Sequence, residues 1–318
     1  MSWDVILPFL RPLEPMLKDP EVTDILVNGP ANVFIEKAGI LCECQGVEMS
    51  DKSLQVAVRN IARVLGDDVG PERPVLDARL PDGSRVAAVL APCSLNGTVL
   101  AIRKFQSQRY TLEELIRIGT LPGTVAERLR QSIGAHENIL IAGGTGSGKT
   151  TLLTALAGLI DADERIVVIE DTAEIQIQTR NLVRLEARRE QPPVPSVTMR
   201  DLLKASLRLR PDRILVGEVR GGEAFDLLQA LNTGHSGTLS TLHANSAAQA
   251  MSRFTTCVLM SGIELPYRAI RSNIAEALNL IVHVERRAGH RHVSQVYAVR
   301  GYDAAFDRYD LERIYDRE

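Results

Sequence analysis

Residues 143–150 read Gly143-Gly144-Thr145-Gly146-Ser147-Gly148-Lys149-Thr150, a full match to the phosphate-loop pattern G-x-x-x-x-G-K-[ST]. Asn138 to Ala142 before it reads as a buried strand, and Thr151 to Ala157 after it as a helix, which is the context the pattern needs. The glycines let successive backbone N–H groups turn inward without a Cβ clash. Those amides and the positive end of the helix then form a pocket for phosphate. Lys149 is expected to reach the β- and γ-phosphates, and the Thr150 hydroxyl to sit on Mg²⁺. ATP and Mg²⁺ are therefore the implied ligands of the stretch from Gly143 to Thr151.

Working outward, three further stretches join the loop. Arg165 to Ile169 is an apolar strand ending in Glu170 and Asp171. Strand ends in an open α/β sheet face the ligand crevice, so Glu170 is placed to orient or deprotonate an attacking water, while Asp171 could instead cap the next turn. Arg213 to Gly217 is a second apolar strand ending in a carboxylate, Glu218. In phosphate-loop enzymes this strand supplies the group that handles Mg²⁺ or its water, so Thr150 and Glu218 are the expected metal residues. Arg220 could bind phosphate in its own or a neighbouring subunit, or form a surface ion pair, and Arg210 is a further phosphate or intersubunit candidate. The block from Asn232 to Asn245 carries His235 and His243 on either side of a predicted strand. His243, after the strand, is placed to contact or sense the γ-phosphate, with His235 as a second candidate. The spacing fits no zinc site.

Strands are predicted at 138–142, 165–170, 213–217 and 238–242, alternating with helices, as in a mainly parallel sheet covered on both faces. Before them, residues 1–105 read as a mixed α/β unit. It has strands near 24–27, 32–36, 85–90 and 98–104 and a helical apolar spacing over Leu54 to Leu65. Residues 106–120 read as a linker with a connecting helix opened by the capping box Thr111-Leu112-Glu113-Glu114, and 121–318 as the second domain. Gln191 to Pro195 reads as a loop, and Thr198 to Leu209 as the helix after it.

The chain has 318 residues, and Lys plus Arg (37) against Asp plus Glu (40) gives a net charge of −3. That balance and the scarcity of aromatics argue against direct nucleic-acid binding. The cluster Arg184 to Arg189 reads as a solvated or intersubunit face. No run approaches 18 apolar residues, so no bilayer span is expected, and the start of the chain lacks the pattern of a secretory signal. Leu7 to Leu10 reads as part of the buried face of a first helix. Cys42, Cys44, Cys93 and Cys257 lack zinc-knuckle spacing and read as free thiols in a reducing compartment.

Taken in order, the phosphate loop, the Ile169-Glu170-Asp171 box, the Val216-Gly217-Glu218 strand and the Thr233-Gly234-His235…Leu242-His243-Ala244-Asn245 block resemble the secretion traffic ATPases. That superfamily powers type II and type IV secretion, conjugal transfer, and type IV and Tad pilus assembly. Leu80 to Arg85 and Ile102 to Phe105 extend the likeness into the first domain. The resemblance implies an α/β fold with an N-terminal PAS-like domain and a C-terminal RecA-like ATPase domain. It also implies a cytoplasmic homohexameric ring, peripheral to the inner membrane and working with secretion or pilus platform proteins. By the same likeness Glu170 and Glu218 are the catalytic carboxylates, His243 is the phosphate sensor, and Arg85 and Arg103 reach the nucleotide from the first domain. Leu265 to Arg271 and Arg208 to Arg213 resemble the Tad-pilus and conjugation branch, while the short N-terminus departs from typical Tad ATPases and suits the conjugation or type IV secretion ATPases better.

The expected activity is thus ATP hydrolysis coupled to movement of macromolecules. Three other readings compete with it. A RecA-like DNA motor requires a basic DNA-tracking groove, and a nucleotide-gated scaffold requires little hydrolysis. A small-molecule kinase requires an acceptor-binding lid between the motifs.

Overall fold

The structure is a computed structural model describing residues 7–37, 39–80, 82–105, 110–190, 194–287 and 289–317. Met1 to Asp4, Pro81 of the turn, the start of the linker at 106–109 and Gln191 to Pro193 lie outside the described residues. The chain divides into two compact units, Met1–Gln108 and Arg109–Glu318.

The first unit opens with 3₁₀ turns at Leu7–Phe9 and Arg11–Leu13 and the short helix α1 (Glu14–Lys18). Pro8 and Pro12 each lack a backbone N–H, and the expected first helix begins only after them. Leu10 and Leu13 are buried while Phe9 faces outward, so the buried side is narrower than expected. There follow β1 (Val22–Asn28), β2 (Val33–Lys37), β3 (Ile40–Glu43), α2 (Asp51–Val64), β4 (Val75–Arg79), β5 (Arg85–Val89) and β6 (Val99–Arg103). Among the described residues these strands form one antiparallel sheet in the order β3-β2-β1-β6-β5-β4. Ser50 caps α2 by accepting the Ser53 N–H, and Leu54, Ala57, Val58, Ile61 and Ala62 recur at helical spacing to close the core over the sheet.

The second unit contains α3 (Leu112–Arg117), α4 (Gly123–Gly134), β7 (Ile139–Gly143), α5 (Lys149–Ala157), β8 (Ile166–Glu170), β9 (Leu182–Glu186) and α6 (Met199–Ser206). It continues with β10 (Arg213–Val219), α7 (Glu223–Asn232), β11 (Leu239–Leu242), α8 (Ala247–Leu259), α9 (Tyr267–Ala277), β12 (Leu280–Arg287), β13 (His290–Asp303) and β14 (Arg308–Asp316). The sheet order is β14-β13-β12-β7-β11-β10-β8-β9. Every pairing from β12 to β9 is parallel, and β13 and β14 add an antiparallel edge. Residues on β7, β8 and β10 are buried on both faces. Leu140, Val167 and Ile214 meet α6 to α9, while Ile139, Ile141, Val168 and Leu215 meet α3 to α5. That double burial is why these strands read as unbroken apolar runs.

Three features differ from expectation. The capping box at Thr111 is present, but α3 is more than a connector: Leu112 and Leu115 enter the core of the second unit. Strand β10 runs two residues beyond the predicted 217, so Glu218 is still in the strand. The stretch 182–186, where the Arg184 cluster starts, is the parallel edge strand β9, with Leu182 and Leu185 turned toward the two cores and the charges outward.

Candidate functional site

The phosphate loop joins β7 to α5, and its crest at Gly144, Thr145 and Gly146 is exposed. Gly148 caps the helix at φ 99°, a left-handed conformation that L side chains resist, so the loop-to-helix junction requires glycine. Ser147 Oγ donates to the Gly144 carbonyl at 2.9 Å. Lys149 is 8% exposed and donates to the carbonyls of Gly143 (3.1 Å) and Gly144 (2.8 Å). Burial pushes Lys149 below the ordinary lysine range. Glu218 and Glu174 pull it back, and Arg220 pushes it further down.

Parallel pairing carries the other groups to the same sheet edge. Strand β11 lies between β7 and β10, with Leu242 opposite both Ala142 and Val219. His243 therefore emerges beside the phosphate loop and the end of β10. Its Nε2 lies 2.7 Å from Glu218 Oε1. This close approach lacks the alignment of a hydrogen bond, and the buried Oε1 has no hydrogen-bond partner. The other oxygen, Oε2, accepts from Arg220 Nη2 at 2.5 Å, and Arg220 Nη1 donates to Asp171 Oδ2 at 3.1 Å. Arg220 thus ties the ends of β8 and β10 together within one chain. Burial pushes His243 below the usual histidine range, as does the Lys149 charge, while Glu218 acts in the opposite direction. A neutral imidazole is the outcome at neutral pH.

Glu170 ends β8 and is 2% exposed. Its Oε1 accepts two backbone N–H groups, from Glu174 and Ile175, each at 2.8 Å, and Oε2 lies 3.9 Å from Arg184 Nη2. Burial pushes its carboxyl up to about 7, against the two backbone bonds and Arg184, which hold it down. A carboxyl poised there is suited to accept and release a proton at neutral pH. Two oxygen donors, the Thr150 hydroxyl and a Glu218 Oε1 that accepts no hydrogen bond, are of the kind that a hard cation such as Mg²⁺ prefers. The residues present therefore fit the implied metal.

Two candidates are not brought to this edge. His235 precedes β11, where its backbone N–H and Nδ1 both lie 3.2 Å from the Ala230 carbonyl at the end of α7. Strand β11 separates it from His243 by roughly 13 Å of extended chain. Arg210 likewise precedes β10, at the same far edge of the sheet. Neither residue lies at the sheet edge that carries the phosphate loop of its own chain. The small residues around His235 answer instead to Arg213, which is 2% exposed and bonds Glu164 (2.6 and 3.0 Å) and the Ile133 carbonyl (2.8 Å). A Cβ on Gly237 would lie 2.0 Å from Arg213 Nη1, so the glycine makes room for the guanidinium.

In the first unit Arg85 and Arg103 stand directly opposite each other on β5 and β6. Arg79 on β4 is opposite Arg85, and Asp24 on β1 is opposite Arg103, whose Nε donates to Asp24 Oδ1 at 2.9 Å. Cross-strand neighbours share a face, so three guanidinium groups form one row that ends on a carboxylate. Arg79 in this row escaped the sequence reading. So did Arg291 on β13, whose Nε donates to the Gly146 carbonyl at 3.0 Å, and Arg286 opposite it on β12. The available signal was the run of basic residues on both sides of Gly289, the composition of a charged hairpin.

The profile of the family described as Type II/IV secretion system protein matches residues 10–304. The conjugal transfer protein TrbB of Rhizobium radiobacter is 37% identical over 289 residues, covering 90% of this chain and 86% of that protein. The type IV secretion system protein PtlH of Bordetella pertussis is 37% identical over 305 residues, covering 88% of this chain and 90% of that protein. Among solved structures, the VirB11 ATPase of the Brucella suis type IV secretion system, crystallised with sulphate, matches with a TM-score of 0.50. It is 33% identical and the match covers 93% of this chain and 94% of that one.

Proposed function

Since the chain belongs to the Type II/IV secretion system protein family, we propose that it is a Mg²⁺-dependent ATPase of the conjugal-transfer and type IV secretion branch. Its α/β fold, an N-terminal PAS-like unit and a RecA-like phosphate-loop unit, is the fold of this family's ATPases. The observation that carries the reading is the gathering of Lys149, Glu218, Arg220 and His243 around the loop, with one buried carboxylate oxygen left without a hydrogen bond.

In this reading the loop amides and Lys149 bind the phosphates of ATP. Glu218 and Thr150 hold Mg²⁺, which when bound offsets charge on the phosphate oxygens. Glu170 keeps the turn at Glu174 and Ile175 in place through Oε1 and takes the proton of the attacking water. Neutral His243 contacts the γ-phosphate side and reports its loss to β11. The arginine row Arg79, Arg85 and Arg103 supplies positive charge to the nucleotide, and Arg210 and His235 serve contacts between subunits. The working form is a homohexameric ring on inner-membrane secretion or pilus platform proteins, at the cytoplasmic face. No described helix is long and apolar enough to cross a membrane.

Phosphate release tests the proposal. The parent chain should hydrolyse ATP only with Mg²⁺ present, and Lys149→Ala should abolish turnover. Full activity in Lys149→Ala overturns the reading.

A further inference from the structure

His283 is 5% exposed on β12, where it stands opposite Ala142 of β7, next to the start of the phosphate loop. Its ring nitrogens face different partners. Nδ1 lies 2.6 Å from Ser294 Oγ on β13, and Nε2 lies 3.3 Å from the Ala244 carbonyl oxygen. A carbonyl only accepts, so Nε2 carries the proton and donates to Ala244. Nδ1 is then bare and accepts the proton of the Ser294 hydroxyl at 2.6 Å, a closer partner than the His283 backbone carbonyl, which lies 3.3 Å from the same Oγ. The two contacts select one neutral tautomer, and burial, the largest influence, pushes His283 below the usual histidine range. Of the groups around it, His292 on β13 and Lys149 on α5 push the same way. The Ala244 carbonyl and Glu285 on β12 push back.

The carbonyl that His283 holds lies at a weak point of the sheet. The last laddered residue of β11 is Leu242, so His243 and Ala244 are beyond its backbone pairing. Ala244 directly follows the histidine whose ring approaches Glu218 Oε1 at 2.7 Å. A side chain rooted in β12 therefore fixes the chain just where the ladder lets go. We propose that His283, oriented by Ser294, is a positioning residue of the nucleotide site. It anchors the Ala244 carbonyl and thereby sets the placement of His243 against Glu218. The proposal rests on the reading of Glu218 and His243 as site residues given above.

His283→Phe keeps a planar ring and removes the donor, whereas His283→Gln keeps an N–H near the position of Nε2. The Phe variant should release phosphate about tenfold more slowly at saturating ATP with KM changed less than about twofold, since small displacements of reacting groups act on kcat. The Gln variant should recover to within about threefold of the parent. In parallel, ¹⁵N-histidine NMR of the full chain should show His283 as the Nε2–H tautomer. The His243 ring signals should move in the Phe variant and return in the Gln variant. An Nδ1–H tautomer, or Phe and Gln variants alike in kcat with unmoved His243 signals, overturns the proposal. Should His283→Phe not fold, Ser294→Ala tests the same relay: the His283 Nδ1 signal should shift as its hydroxyl partner is lost and kcat should fall, and unchanged signals with parental kcat overturn it. If the parent shows no ATP turnover at all, the reading of the site fails, while the NMR result still decides the role of His283.

Discussion

His243 Nε2 lies 2.7 Å from Glu218 Oε1, joining the ends of two neighbouring parallel strands at the edge that carries the phosphate loop. Glu218 is half of that contact and also receives Arg220, so its charge organises the local field. Glu218→Gln keeps the shape and removes the charge. It should lower kcat by about 10²–10⁴-fold while ATP-analogue binding persists. Phosphate release together with fluorescent-nucleotide titration checks both halves, and parental turnover would remove Glu218 from the chemistry.

Glu170 ties stability to pH. Burial pushes its carboxyl up to about 7 in the folded chain, above the ordinary glutamate value of 4.5. The protonated form is thus favoured by folding. That contribution is fully present below about pH 4.5 and is lost as pH rises through about 7, on the order of 3 kcal/mol in all for this buried group. Glu170→Gln mimics the protonated form. The variant should melt near the parent at pH 5 and several degrees above it at pH 8. ATP turnover should move in the opposite sense, rising in the parent through about pH 7 as the carboxylate forms and showing no such limb in the variant. Thermal melts and rate profiles across pH 5–9 test the pair.

Arg291 should act on nucleotide affinity more than on folding. It reaches the loop from β13 through one charged hydrogen bond to the Gly146 carbonyl. Arg291→Met keeps most of the aliphatic stem and loses that bond, which should raise Kd for ATP by about fivefold to tenfold. Equilibrium binding of a fluorescent ATP analogue measures this, and an unchanged Kd would leave Arg291 a surface residue.

Gly237 should prove intolerant for reasons remote from chemistry. Gly237→Ala would place a methyl 2.0 Å from Arg213 Nη1 and demand φ near 77° of an alanine. Displacing the Arg213–Glu164 pair from a buried setting should cost about 3 kcal/mol or more. Urea denaturation is the test. A loss below about 1 kcal/mol would mean that the pair re-forms around the methyl.

The parallel strands were legible because burial on both faces leaves unbroken apolar runs, and the phosphate loop because its glycines and Lys149 are local requirements. Carboxylates at the ends of such runs were also legible, since strand ends face the crevice. The two histidines were not separable in this way. Both sit among small residues, yet His243 follows β11 and His235 precedes it, so only the strand's direction in the sheet divides them. The far-edge role of Gly237 depended on Arg213, 24 residues earlier at the start of β10. Arg291 lies 145 residues from the Gly146 carbonyl that it bonds, and His283 lies 39 residues from Ala244.

By itself the sequence determined the phosphate loop, the capping box at Thr111, the alternation that makes a covered parallel sheet, and the acidic residues that end two of its strands, because each is set by neighbours within a few residues. Tertiary structure alone decided which charges meet. The order β12-β7-β11-β10-β8 puts His243 against Glu218, Arg220 against Asp171, and the β12–β13 hairpin over Gly146. Strand order is a property of how apolar faces pack across the whole unit, and no local pattern encodes it.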